Sequence, residues 1–65
     1  DGAALAKRQL RKKIESLEAR IKEHEDKIKA EKSRSQPDEG LIAHWEREVR
    51  SFRNAILRAR KKLEG

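Results

Sequence analysis

Few side chains in this 65-residue sequence could do chemistry, and those few fall into two groups. The first is the pair His44 and Glu48, with His24 standing apart from it on an apolar stripe. His44 and Glu48 stand four residues apart, so a helix would put them on one face, where the pair could offer two ligands to a metal ion. No third ligand is evident beside them, so no metal site is assigned. The second group is cationic: Lys7, Arg8, Arg11, Lys12 and Lys13 near one end of the chain, and Arg53, Arg58, Arg60, Lys61 and Lys62 near the other. Such clusters suit phosphate oxygens or another polyanion.

Nothing else in the sequence suggests catalysis. Ser16, Ser33, Ser35 and Ser51 lack the glycine-flanked elbow that exposes a nucleophile. There is no cysteine to act as a nucleophile or thiolate ligand, and no glycine-rich phosphate loop. The carboxylates are spread along the chain, with nothing to desolvate one and raise its pKa. The sequence reads as non-enzymatic, with no cofactor.

The elements that hold these groups follow from composition and periodicity. Charged residues make up 46% of the chain and apolar ones 34%, with Trp45 and Phe52 the sole aromatics, which limits the chain to one small domain. No apolar run approaches the ~20 residues needed to cross a bilayer. The sequence opens on Asp1 without a signal-peptide pattern or an initiating Met, and is read as a piece of a longer protein. High charge with few aromatics also describes disordered chains, so the spacing of apolar residues has to decide.

That spacing is heptad. Leu10, Ile14, Leu17, Ile21 and Ile28, with His24 in the gap, step by four and three along one narrow stripe. Ala3 and Lys7 extend the stripe backward, Glu31 closes it, and Asp1 is placed to cap it. A second seam runs Ile42, Trp45, Val49, Phe52, Ile56, Ala59 and Leu63. Between them Ser33 to Asp38 holds turn-forming residues and the only proline, with Ser35 and Asp38 spaced like a capping box. Gly40 could delay the second helix to near Leu41. The expected fold is all-α, an antiparallel two-helix hairpin of coiled-coil type. Its helices span about 3–33 and about 38–63, joined by a turn at about 34–37.

Folding the seams together pairs Ile28 with Ile42, His24 with Trp45, Ile21 with Val49, Leu17 with Phe52, Ile14 with Ile56, Leu10 with Ala59 and Lys7 with Leu63. Among the flanking charges, Glu18 would meet Arg53 and Arg20 would meet Glu48. His24 is read first as a partly buried ring against Trp45, and second as a pH-sensitive packing residue. Two rods bury little surface for 65 residues, which favours dimerisation into a four-helix bundle or docking on a larger body. Trp45 and Phe52 are broad for a two-stranded seam and are the candidate protein-docking residues.

The hairpin also gathers charge. Residues 1–13 and 50–65 meet at its open end with 11 basic and 2 acidic groups, net +9, whereas residues 14–49 carry 7 basic and 10 acidic groups, net −3. Cations at the end of the second helix complement its dipole, but those near the start of the first oppose it. An arrangement that opposes folding invites an anionic partner. Phosphate contact without sequence readout is expected, since this end has no aromatic for stacking apart from the seam residue Phe52 and only Gln9 and Asn54 as carboxamides.

The run Gly40-Leu41-Ile42-Ala43-His44-Trp45-Glu46-Arg47-Glu48-Val49, followed by Phe52, Ile56 and Ala59, resembles helical segments near the C-terminal ends of bacterial polymorphic toxins of the Rhs and contact-dependent type. In those segments a helix with Glu-His and Lys-Ile repeats, similar to Ile21 to Ile28, precedes a Gly-Leu-Ile-x-His-Trp helix. The similarity spans Ile14 to Leu63. It implies a C-terminal effector module delivered to the cytoplasm of a neighbouring cell, with an immunity protein as partner. It names no target and carries over no active-site residue.

Two functions follow from the residues themselves. One is a helical interaction module, self-associating or docking a protein through Trp45 and Phe52, with a basic open end that engages a macromolecule. The other is a hairpin that grips DNA or RNA phosphates through that end. The stripes are too narrow for a surface-lying membrane helix.

Overall fold

The computed structural model describes the backbone of residues 2–65 and the side chains from Ala4 onward. It is an all-α hairpin of two packed helices, α1 (Gly2–Lys32) and α2 (Glu39–Glu64), forming a rod of 54 × 14 × 12 Å. The cap expected of Asp1 and the seam place given to Ala3 lie outside the described residues and side chains. No helix is long and apolar enough to cross a membrane among the described residues.

The heptads select the buried faces. Every seam residue from Leu10 to Glu31 and from Ile42 to Leu63 is buried or half-buried, while most residues between them are exposed. A core cluster joins Ile14, Ile56 and Ala59, with Leu10, Leu17, Ile21 and Leu63 against them. Lys7, expected opposite Leu63, is exposed.

The register differs from a pairing of like with like. Phe52, expected opposite Leu17, packs on His24, and Arg53, expected to meet Glu18, reaches Glu25, each contact nearer the turn on α1. His24 contacts Glu48 and Phe52, which bracket Val49, rather than lying opposite Trp45 alone. An offset of about half a heptad from that pairing, with His24 level with Val49, fits these contacts and keeps Ile14 with Ile56 and Ala59 in one cluster. The physical reason is polarity. Antiparallel helices run their heptads in opposite senses, so the first apolar position of one faces the second of the other. In this register the seam ends on Leu10 at the open end and takes Glu31 into its last layer.

Glu31 is the one buried charged residue among the described residues, 7% exposed, and it builds the turn. Its Oε2 accepts the backbone N–H of Asp38 at 2.9 Å, and both carboxylate oxygens accept from Arg34 Nη1 at 3.2 and 3.1 Å. Asp38 in turn caps α2, its Oδ1 accepting from Leu41 N–H at 3.0 Å. The cap is therefore Asp38 and not Ser35. A capping box normally draws both halves from one helix: the cap side chain takes the N–H three residues on, and the residue there returns the favour. Leu41 cannot return it, so Glu31 does so from the other helix. The end of α1 is closed by Ser33, whose N–H and Oγ both reach the Lys29 carbonyl, at 3.2 and 3.0 Å.

Gly40 lies in the first turn of α2 without a left-handed backbone. A Cβ there would meet Asp38 Oδ1 at 3.5 Å, an ordinary contact. Gly40→Ala is accordingly expected to stabilise the hairpin by about 0.5–1 kcal/mol, by restricting the unfolded chain. Thermal unfolding followed by circular dichroism checks it; a lower midpoint would mean that α2 needs the glycine.

Candidate polyanion interface and inter-helix histidine cluster

The cations expected at the open end are where the hairpin predicts. Lys7, Arg8, Arg11, Lys12 and Lys13 are exposed on the early turns of α1, and Arg58, Arg60, Lys61 and Lys62 on the last turns of α2. None of these nine takes part in an ion pair among the described residues. Lys61 and Lys62 sit in the last turn of α2, where the carbonyl ends favour positive charge. The first turn of α1 has no acidic residue to offset its dipole.

Side chains from both helices converge. Lys13 from α1 and Arg58, Lys61 and Lys62 from α2 line one open recess beside Leu10, Ala55 and Ala59, with no carboxylate among them. Four cations around a small apolar floor form a place where an anion meets several donors at once. Arg53 stands apart. It spans the helices to Glu25 at 3.0 Å, nearer the turn, so its charge is already matched.

The candidate docking residues are partly occupied within the fold. Trp45 and Phe52 are both half-buried, and Phe52 packs edge-to-face with the His24 ring, centroids 5.2 Å apart and planes at 86°. The exposed large apolar side chains are instead Leu5, Leu41 and Leu57.

His24, His44 and Glu48 do come together, although sequence spacing joined only the last two. His24 occupies an α1 seam slot, and Glu48 flanks the opposite slot at Val49. His24 Nε2 lies 3.1 Å from Glu48 Oε2, and His44 Nε2 lies 2.6 Å from Glu48 Oε1. The other His24 nitrogen, Nδ1, is 2.9 Å from the Arg20 carbonyl, so Arg20 serves this cluster through its backbone and not as the expected partner of Glu48. The hydrogen bond from His24 holds the Glu48 carboxyl below its ordinary value of 4.5; partial burial opposes the shift, and the charges of His44, His24 and Lys27 add to it. No group of three such side chains is placed to hold a metal ion among the described residues.

Sequence reasoning missed the roles of Glu31 and of Glu48 toward His24. The signal was the same for both: a polar residue in a seam slot has to find a polar partner on the opposite helix or across the turn. No protein-family model, curated protein or solved structure matches the chain. The toxin resemblance therefore rests on the quoted residues alone.

Proposed function

We propose that the chain is a non-enzymatic helical interaction module whose basic open end engages a polyanionic macromolecule, with nucleic-acid phosphates as the favoured chemistry. The observation that carries this reading is the recess lined by Lys13, Arg58, Lys61 and Lys62, where both helices contribute cations and no carboxylate intervenes. The lining of the recess holds no carboxylate, and Glu64 lies beside Arg58 and Lys61 on the adjoining surface. Trp45 and Phe52 lie half-buried in the seam, which favours the basic end over aromatic docking. If the toxin resemblance holds, it adds a delivered effector as the setting and an immunity protein as a second partner.

The test is affinity for a DNA or RNA duplex, measured as salt rises. Each phosphate contact contributes about −0.9 to the slope of log affinity against log salt on B-DNA. Changing Lys13, Arg58, Lys61 and Lys62 together to Gln is expected to reduce that slope by roughly 3–4 and to weaken binding at low salt by orders of magnitude. Helical ellipticity of the variant is the folding control, because the changes relieve mutual repulsion but give up the dipole complement of Lys61 and Lys62. Salt-insensitive binding, or an unchanged slope in the variant, would count against the proposal.

A further inference from the structure

We propose that His24 and Glu48 form a proton-gated clasp between the helices, in which His24 holds α2 as an imidazolium and gives up a partner when it loses a proton. The inference rests on hydrogen-bond stoichiometry. His24 Nδ1 faces the Arg20 carbonyl at 2.9 Å, and Nε2 faces Glu48 Oε2 at 3.1 Å. A carbonyl only accepts, and so does an ionised carboxylate, so both ring nitrogens must donate. A neutral imidazole has one N–H and can satisfy one of the two.

The alternative is a proton on Glu48 instead, and its surroundings oppose that. Its other oxygen faces His44 Nε2 at 2.6 Å, and Lys27 on α1 adds positive charge nearby. The groups acting on the cluster are thus the Arg20 carbonyl and Lys27 from α1, and His44, Glu48 and the Phe52 ring from α2. The His24 side chain is only 12% exposed, with Phe52 packed against it, so water reaches its ring less readily than it reaches the Glu48 carboxylate, which is 37% exposed.

Deprotonation has two outcomes. If the remaining proton sits on Nδ1, the ring keeps Arg20 and turns a lone pair toward the Glu48 carboxylate. If it sits on Nε2, the ring keeps Glu48 and abandons Arg20. Either way one hydrogen bond is lost, and in the first case it is the one that joins the helices. The His24 contribution is present while both ring nitrogens carry a proton and is lost when one is released as pH rises. The Glu48 contribution has the opposite sense. Its folded-state value is lowered, so it is present above 4.5 and lost as pH falls below that. Between the two limits the clasp is closed.

The test uses the intact chain. Imidazole ¹⁵N shifts report which ring nitrogens are protonated, and urea unfolding reports stability, each at about pH 5.5 and about pH 8. The proposal expects both His24 nitrogens protonated at the lower pH. It also expects a urea midpoint lower by roughly 0.5 M or more at the higher pH. Glu48→Gln should remove most of that difference, while His44→Gln should keep most of it. A midpoint that does not fall over this range would overturn the clasp. So would a Glu48→Gln variant whose midpoint falls as far as that of the unaltered chain. Should the variant fail to fold, the ¹⁵N shifts of the unaltered chain decide: a singly protonated His24 ring at the lower pH refutes it.

Discussion

A Glu31→Ala variant is expected to lose about 1–3 kcal/mol of hairpin stability, because it strands the backbone N–H of Asp38 and removes the acceptor of Arg34. The loss comes mainly from the N–H. Arg34 is largely exposed and can turn to water, so its ion pair contributes little. Glu31→Gln separates the two effects. Its amide oxygen can still accept from Asp38 while the charge is gone, and the variant should regain most of the lost stability. Urea unfolding of the three chains, followed by helical ellipticity, measures this directly. If Gln proves as damaging as Ala, the ion pair matters more than the cap; if Ala is harmless, α2 caps itself without help from α1.

Ile56→Ala should cost about 2–4 kcal/mol, a large part of what so small a fold can hold. Ile56 is 7% exposed, packs with Ile14 and Ala59, and has Leu10, Leu17, Ile21 and Leu63 around that cluster. A rod of two helices has no third layer to move into the gap, so the cavity should persist. The neighbouring residue is the control. Leu57 is 61% exposed, and Leu57→Ala should change stability by no more than about 0.5 kcal/mol. Similar losses at both positions would mean that α2 buries a different face, or that Leu57 is covered by a partner in solution.

The helices and their buried faces were legible because period alone determines them: a 3–4 step of apolar residues can bury one side of a helix and nothing else. Register was less legible. Two heptad runs of equal length match in several alignments, and apolar side chains such as Leu17 and Ile21 scarcely distinguish them. The polar members do distinguish them. Glu31 and His24 each need a hydrogen-bonding partner, and only the observed offset gives Glu31 the Asp38 N–H and His24 the Glu48 carboxylate. The basic end was legible as a cluster, since two helices with one short turn bring distant sequence together. Arg53 was not separable from it, because its tie to Glu25 depends on the same offset.

The turn formed by residues 33–38 also sets an order of assembly. Each seam layer encloses the one before it, so once the turn has closed, every further layer lengthens the enclosed chain only slightly and adds little entropic cost. Loop closure therefore costs least when the layers form in order from the Glu31 end. Lys12, Lys13, Lys61 and Lys62 sit on the arms far from that turn. An anion that bridged those arms would bind the closed form better than the open one, and so would hold shut the part of the hairpin that its own charges push apart.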